Sequence, residues 1–295
     1  MLHGVIPALL TPFTEGGAKV DVSALQRLCD HLVAARVDGA FITGTTGEFV
    51  SLDPDERRLV IREAMRFLSG RLLTIVHVGS FNTTEAVALL RFAAEQGVEA
   101  VGSMPPYFYP MDDEAQYVYF SRICEAADGM PVFLYNIPGC VGNVISLPLI
   151  ARLKRAFPHL RGIKDSAGDM ERLKATIDLG LPEFEVVSGA DHRTLTALGL
   201  GSHASVTSTA NAFPELFQAI YRAFEAGRYD EAAQAQERLT AATKVLRQGR
   251  YLATYKQALR MRGVDAGTVR PPQRELEREE LDALRAGLVE LGLLS

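Results

Sequence analysis

One lysine stands out among the residues that could do covalent chemistry. The chain contains only six lysines, and Lys164 alone falls inside a predicted strand, near its carboxyl end. Burial of an ammonium group lowers its pKa, and the neutral amine that results is a nucleophile for ketones. Lys164 is therefore a candidate for Schiff-base formation. The alternative is that it only pairs with Asp165 or with another carboxylate at the rim of the fold.

A tyrosine in the preceding predicted strand could move the proton that such a reaction requires. Tyr135 begins the sequence YNIP, and if it faces inward its phenol lies beside Lys164, where it is suited to relay a proton. A strand tyrosine can also serve only as core packing, since its ring buries well and its hydroxyl needs one partner. The adjacency of strands five and six favours the relay.

Two further segments contain residue types that suit a small anionic ligand. GTTGE at 44–48 follows strand two and combines the hydroxyls of Thr45 and Thr46 with glycines that let the backbone approach a carboxylate. The Pro-rich aromatic loop at 105–110 follows strand four and can wall a site or reach into a partner subunit. Each segment also has a plainer interpretation, as a strand–helix connection or as surface packing.

These candidates depend on a fold that brings strand ends together. Continuous apolar runs are typical of strands with both faces covered, as in a parallel sheet wrapped by helices. Eight such runs predict strands, over residues 4–10, 39–44, 72–79, 100–105, 131–138, 160–165, 184–189 and 203–210. Helical periodicity lies between them, with predicted helix starts at Ser23, at Asp53-Pro54 and at Thr83 or Thr84. The alternation predicts an α/β fold, a (β/α)8 TIM barrel with its active site at the strand carboxyl ends.

The prediction divides the chain into two regions. Residues 1–228 are expected to form the barrel and residues 229–295 a C-terminal helical extension packed on it, with helices over 232–248, 249–262 and 275–293. The charged run at 274–280 is either an interaction face or the solvated start of a helix. An open doubly wound sheet is the alternative fold, but no GxGxxG motif follows the first strand.

Composition limits the partners and the environment of the protein. With 295 residues and 47% hydrophobic content, the chain can bury a barrel-sized core. Its net charge of -5 leaves no basic surplus for a nucleic-acid backbone. Its three cysteines lack CxxC spacing, and no apolar run reaches the roughly 18 residues that span a bilayer. We therefore expect a cytoplasmic protein without nucleic-acid or membrane partners.

With these segments in place, the chain resembles the dihydrodipicolinate synthase/N-acetylneuraminate lyase family of class I aldolases over nearly its whole length. The resemblance rests on GTTGE at 44–48, YNIP at 135–138, GIKDSAGD at 162–169, SGAD at 188–191 and TSTAN at 207–211. It implies a barrel with a C-terminal helical region, commonly a homotetramer built as a dimer of dimers, and no metal or organic cofactor. The expected ligands are pyruvate or another 2-keto acid and an aldehyde.

The resemblance also implies roles for individual residues. Lys164 is the expected Schiff-base lysine and Tyr135 the expected proton relay, with Thr45 as a third catalytic residue that binds the substrate carboxylate together with Thr46. The predicted substrate-binding residues are Thr46, Gly44, Gly189, Val206, Tyr107, Tyr109, Cys140 and His192.

Two departures from the family pattern bear on the substrate. The lysine-pathway synthases follow YNxP with an arginine and a threonine that hold the carboxylate of aspartate semialdehyde, whereas this chain has Cys140 and Val141. Sialic acid lyases have a glutamate after the aspartate of the strand-seven motif, whereas here His192 follows Asp191. His192 either binds a substrate hydroxyl or is an incidental surface residue.

A third departure concerns the relay. Phe108 takes the position of the tyrosine that reaches across the dimer interface in those synthases, and Tyr107 or Tyr109 is the candidate replacement. The sequence therefore predicts a Schiff-base lyase that cleaves or forms a 2-keto-3-deoxy sugar acid rather than dihydrodipicolinate. The alternatives are a dehydratase of such acids that uses the same Schiff base, and a non-catalytic keto-acid-binding protein whose relay has decayed.

Overall fold

The structure, a computed structural model, describes residues 2–246 and 251–294. Eight short strands occur in this part of the chain: β1 (Gly4–Pro7), β2 (Gly39–Ile42), β3 (Leu73–His77), β4 (Ala100–Ser103), β5 (Val132–Asn136), β6 (Leu160–Asp165), β7 (Glu185–Ser188) and β8 (Ala204–Thr207). Apart from the half-buried Leu73 and Arg161, every strand residue is buried. This is the pattern that continuous apolar runs predict for strands covered on both faces.

The strands form one parallel sheet that is nearly closed. Their order is β1-β8-β7-β6-β5-β4-β3-β2. β1 and β2, which stand at the two ends of this order, are also joined. The amide of Leu9, just after β1, donates to the carbonyl of Phe41 in β2 at 2.9 Å, and Ala8 forms a parallel bridge with Phe41. The predicted (β/α)8 barrel is thereby confirmed, and the carboxyl ends of all eight strands meet at one mouth.

Helices lie between and beyond the strands. In the described residues they are α1 (Val22–Ala34), α2 (Pro54–Leu68), α3 (Thr83–Glu95), α4 (Asp113–Ala127), α5 (Pro138–Val141), α6 (Leu147–Ala156), α7 (Met170–Ile177), α8 (Thr194–Leu200), α9 (Pro214–Glu225), α10 (Tyr229–Leu246), α11 (Tyr251–Met261) and α12 (Arg278–Glu290). A large apolar cluster fills the space between sheet and helices, and a smaller one fills the barrel interior, where Phe41, Ile75, Phe133, Tyr135 and Val206 meet.

The predicted helix starts were right in one case and displaced in two. Asp53 caps α2 and forms a reciprocal capping box, as the Asp-Pro pair predicted. The cap of α1 is Asp21 rather than Ser23, and the cap of α3 is Asn82 rather than Thr83 or Thr84. Aspartate and asparagine accept hydrogen bonds from first-turn amides at least as well as serine or threonine, so the upstream residue takes the cap.

The C-terminal helices pack beside the barrel. α10 begins three residues earlier than the predicted range 232–248, and α12 is shorter than the predicted range 275–293. The junction of the predicted helices 232–248 and 249–262 lies outside the described residues. Within the described part of the chain, no helix is both long enough and apolar enough to cross a bilayer.

Candidate active site

Lys164 lies inside the barrel mouth, on the inward face of β6. Its side chain is 6% exposed, and its Nζ is 3.7 Å from the ring centroid of Tyr135 and 5.1 Å from that of Phe41. Burial lowers the pKa of the ammonium from 10.5 to about 7, although the charges of Asp191 and Asp165 act in the opposite direction. At neutral pH a large share of Lys164 is therefore a neutral amine, which can attack a carbonyl carbon.

The carboxylate next to Lys164 along the chain is bound by other partners. Asp165 accepts hydrogen bonds from Asn136 at 2.9 Å, from the Arg172 guanidinium at 3.1 Å and from the amide of Ala167 at 2.9 Å. Alternation along a strand directs Asp165 away from the face that carries Lys164. These contacts favour the nucleophile interpretation of Lys164 over a structural ion pair with Asp165.

Tyr135 lies directly across from Lys164 in the register of β5 and β6. Its side chain is 3% exposed, and its hydroxyl lies within hydrogen-bond distance of the Thr45 hydroxyl, at 3.4 Å. Burial raises the pKa of the phenol from 10.0 to about 12, so it is protonated at neutral pH and can donate a proton. The ring of Phe41 packs against it edge-on, with centroids 5.7 Å apart.

The loop after β2 holds Thr45 and Thr46 in a tight turn. The amide of Gly47 donates to the carbonyl of Gly44 at 3.0 Å, and the amide of Glu48 donates to that of Thr45 at 3.1 Å. The hydroxyl of Thr46 is 2.6 Å from that of Ser208, which follows β8. A Cβ at position 44 would lie 2.7 Å from the Phe41 ring, so glycine is required there by close approach.

A buried ion pair ties this loop to the C-terminal helices. Lys256 on α11 has no exposed side-chain surface, and its ammonium donates to the carboxylate of Glu48 at 2.7 Å and to the carbonyls of Thr11 and Thr268 at 2.7 and 2.6 Å. All three N–H donors of the ammonium are used. The second oxygen of Glu48 accepts from the amide of Arg270 at 3.1 Å. The loop after β2 that carries Thr45 and Thr46, called the threonine loop below, is thus held in place by residues from the C-terminal region.

We expect Lys256→Met to lower the free energy of unfolding by about 3–5 kcal/mol, because the Glu48 carboxylate would stay buried without its cation. Urea denaturation followed by circular dichroism measures the change. The double variant Lys256→Met/Glu48→Gln should recover part of the loss, since no unpaired charge remains. A single variant within about 0.5 kcal/mol of the wild type would show that the pair does not support the fold.

The ends of β7 and β8 complete the wall around Lys164. Val206 is 3% exposed and packs in the interior cluster with Phe41, Tyr135 and Val187. The amide of Gly189 continues the sheet by donating to the carbonyl of Asp165 at 2.7 Å. Together with the threonine loop, these residues bring seven predicted site residues to one mouth: Lys164, Tyr135, Thr45, Thr46, Gly44, Gly189 and Val206.

The four other predicted residues lie at the periphery of the mouth. Tyr107 is half-buried, with ring centroids 6.3 Å from both Phe49 and Phe81, and Tyr109 is 57% exposed. Cys140 is exposed on α5, the short helix after β5. His192 is exposed in the turn that follows β7.

Sequence reasoning missed two residues that contact the predicted ones. Phe41 packs against both Tyr135 and Lys164, and His77 packs edge-on against Tyr135 with centroids 5.9 Å apart. Both lie inside predicted strands, 39–44 and 72–79, where alternation puts every second side chain on the inward face.

A separate cavity of about 310 Å³ opens between α2 and α3, lined by residues that include Arg57, Ser80 and Tyr107. The buried Arg57 guanidinium donates to the carbonyls of His77 at 2.8 Å and Gly79 at 3.1 Å, and so supports the end of β3. Neither Lys164 nor Tyr135 lines this cavity. Among the described residues, no group of three or more His, Cys, Asp or Glu is arranged to hold a metal ion.

The chain is similar to known proteins over nearly its whole length. The profile of the dihydrodipicolinate synthetase family matches residues 1–291. An uncharacterised DapA-like lyase of Halobacterium salinarum is 35% identical over 293 residues, which cover 99% of this chain and 95% of that protein. A 4-hydroxy-tetrahydrodipicolinate synthase of Methanopyrus kandleri is 32% identical, with coverage of 99% and 97%.

A solved structure extends the comparison. YagE of E. coli K12, a prophage protein of the dihydrodipicolinic acid synthase family in complex with pyruvate, is 26% identical, with a TM-score of 0.94 and 99% of each chain covered. The sequence motifs, the barrel and these relatives lead to one conclusion: the chain belongs to the dihydrodipicolinate synthetase family, whose named members here are lyases.

Proposed function

We propose that this protein is a Schiff-base lyase that acts on pyruvate or a related 2-keto acid. The observation that carries the proposal is the buried Lys164 amine, 3.7 Å from the ring of Tyr135. A neutral amine beside a protonated phenol supplies the nucleophile and the acid that condensation with a ketone requires. The pyruvate bound to the E. coli relative adds support for the ligand class.

The reaction can be written with these two groups alone. The Lys164 nitrogen adds to C2 of the keto acid, the carbonyl oxygen takes a proton from Tyr135, and the amine returns one to the phenolate. The carbinolamine hydroxyl then leaves as water with the phenol proton, which gives an iminium and a phenolate. In cleavage the phenolate takes the proton of the C4 hydroxyl, the C3–C4 bond breaks as the aldehyde forms, and the iminium accepts the electron pair to become an enamine. In the reverse direction the iminium of pyruvate first loses a C3 proton to the phenolate to form the same enamine.

The substrate carboxylate is assigned to the loop after β2. Thr45 bears a half-buried hydroxyl within 3.4 Å of the Tyr135 hydroxyl, and Thr46 is held by Ser208. Hydroxyls and turn amides at the mouth can accommodate one carboxylate next to the reacting carbon. In this arrangement C1 lies towards the threonines and C2 towards Lys164.

For the second substrate we propose the aldehyde part of a 2-keto-3-deoxy sugar acid. Cys140 and Val141 offer no cation for the carboxylate of an aspartate semialdehyde, and we assign the imidazole of His192, in the exposed turn after β7, to a substrate hydroxyl. A dehydratase would use the same iminium but eliminate water. Product analysis with five- and six-carbon acids separates the two: free pyruvate indicates aldol cleavage, whereas a retained carbon skeleton indicates dehydration.

The proposal predicts how adduct formation depends on pH. Because burial lowers the pKa of Lys164 to about 7, the neutral amine increases as pH rises through 7. The rate of adduct trapping by pyruvate with cyanoborohydride should therefore rise between about pH 6 and pH 8 and then level off. Quenched samples analysed by intact-protein mass spectrometry give this rate. A rate that keeps rising to pH 10 would mean that the reacting lysine has an ordinary pKa.

We also propose that the aromatic loop forms an interface between copies of this chain. Phe108 is 83% exposed with a positive φ of 81°, and its ring packs on Tyr109, which in turn packs on the 42%-exposed Phe81. Adjacent exposed aromatic side chains are typical of interaction surfaces. Sedimentation of the wild type at the mass of a dimer or tetramer supports this, and a monomer at micromolar concentration contradicts it.

A further inference from the structure

The threonine loop begins at a residue with an unusual backbone conformation. Thr43, which directly follows β2, is buried and has a φ of 53°, in the left-handed region. Within the described residues, it is the one β-branched residue with a positive φ. A branched side chain clashes with the backbone in that region, so other contacts must offset the cost. The contacts of Thr43 therefore decide how the loop leaves β2.

These contacts come from His77, at the end of β3. The hydroxyl of Thr43 donates to the carbonyl of His77 at 3.0 Å and shares its proton with the carbonyl of Ile42 at 2.8 Å. In the other direction, Nδ1 of His77 lies 3.1 Å from the carbonyl oxygen of Thr43. Because a carbonyl oxygen can only accept, Nδ1 is the nitrogen that carries the proton. Each of the two side chains thus binds the other residue's backbone.

His77 is itself fixed by its surroundings. Its side chain has no exposed surface, and burial lowers the pKa of the imidazole well below 6.5, so the ring is neutral and has a single N–H. Its carbonyl also accepts from the guanidinium of Arg57 at 2.8 Å, and its ring packs edge-on against Phe49 with centroids 4.8 Å apart. The Thr43 carbonyl is therefore given a donor whose direction is fixed.

The other end of the threonine loop is held by a comparable contact. Glu48 also has a positive φ, of 54°, and its carboxylate accepts from the buried Lys256 at 2.7 Å. Between the two ends, the hydroxyl of Thr45 lies 3.4 Å from that of Tyr135. A rotation about the backbone of Thr43 would swing Thr45, two residues later, away from this position. The conformation of Thr43 therefore sets where the loop points its hydroxyls.

We propose that His77 is a positioning residue for the substrate carboxylate: by holding Thr43 in its left-handed conformation, it directs the hydroxyls of the threonine loop towards C1 of the keto acid. This inference rests on the proposed Schiff-base function, in which the loop binds that carboxylate. The role of His77 is separate from the covalent chemistry. Its loss should weaken the binding of a carboxylate and leave the reactivity of the Lys164 amine unchanged.

Two ketones that differ in the carboxylate test this role. The rate of cyanoborohydride trapping is measured by intact-protein mass spectrometry over a range of pyruvate or acetone concentrations. His77→Phe keeps a ring but has no N–H, so the pyruvate concentration at half the maximal rate should rise about 10-fold or more, since small displacements of positioning groups are costly. Trapping with acetone, which has no carboxylate, should proceed at the wild-type rate.

Two further histidine variants complete this experiment. His77→Asn can donate from near the position of Nδ1 and should retain most of the pyruvate affinity. His3→Phe makes the same change at an exposed histidine and should match the wild type with both ketones. An unchanged pyruvate dependence in His77→Phe overturns the proposal. So does an equal decrease with both ketones, which would assign His77 to packing against Tyr135.

Substitutions of Thr43 test the link through this residue. Thr43→Val removes the hydroxyl and should weaken pyruvate binding, whereas Thr43→Ser keeps it and should not; equal pyruvate affinities in the two variants overturn the proposal. In the double variant His77→Phe/Thr43→Val the two losses should not multiply, because both act on the same turn. If His77→Phe fails to fold by circular dichroism, the Thr43 pair decides. A wild type that forms no adduct with pyruvate refutes the proposed function instead.

Discussion

Replacing Lys164 with methionine should abolish turnover of any 2-keto acid substrate, with a loss of roughly 10⁴-fold or more, as expected when a covalent nucleophile is removed. Methionine keeps the length and the apolar contacts with Phe41 and Tyr135 but has no amine to form the iminium. Pyruvate release from a cleaved acid, coupled to lactate dehydrogenase, measures the loss. Lys19→Met, on the exposed surface, should have wild-type activity. Substantial turnover by Lys164→Met would contradict covalent catalysis.

The same substitution should not destabilise the protein. Burial lowers the pKa of Lys164 to about 7 in the folded protein, compared with 10.5 for an ordinary lysine, so the unfolded chain binds the proton more tightly. The folded state is disfavoured by this difference increasingly as pH falls from 10.5 to about 7. Lys164→Met removes the effect, so its melting temperature should equal or exceed that of the wild type, by more at pH 7 than at pH 10. A large decrease in the melting temperature of Lys164→Met would mean that its loss of activity reflects a folding defect rather than the missing amine.

Tyr135→Phe is expected to have the second largest effect, a decrease in turnover of about 10²–10⁴-fold, the usual contribution of a general acid–base group. The substitution removes the hydroxyl that contacts Thr45 but keeps the ring that packs against Lys164. Adduct with pyruvate should still accumulate, only more slowly, because the amine remains. Steady-state kinetics and timed borohydride quenching measure the two effects separately.

The control for Tyr135→Phe is Tyr229→Phe, which removes a hydroxyl from a tyrosine that is 64% exposed on α10. We expect wild-type kinetics from it. Turnover and adduct formation by Tyr135→Phe at wild-type rates would exclude the phenol as the proton relay. Loss of turnover together with a change in melting temperature would instead indicate a packing role for Tyr135.

The features that sequence predicted well are those that depend on local pattern and chain order. In a barrel of eight parallel strands, strands that follow each other in the chain lie side by side. Tyr135 and Lys164 were therefore expected to be neighbours, and they are partners in the register of β5 and β6. The position of the threonine loop after strand two followed from its residue types, although the same residues were also consistent with a simple strand–helix connection. Family resemblance supplied the roles, and the strand register supports their proximity.

Other features depend on contacts that no local pattern encodes. Lys256 and Glu48 are 208 positions apart, and nothing in either segment indicates that the lysine is buried and paired with the glutamate. The positive φ of Phe108 is uncommon for a residue other than glycine and was not expected.

The position of the covalent bond decides whether Lys164 is the nucleophile. The wild type is reduced with borohydride in the presence of pyruvate, digested and analysed by peptide mass spectrometry. We predict a carboxyethyl group on the peptide that contains Lys164 and on no peptide that contains an exposed lysine such as Lys19 or Lys174. A protein that stays unmodified, or carries the group at exposed lysines but not at Lys164, would contradict it.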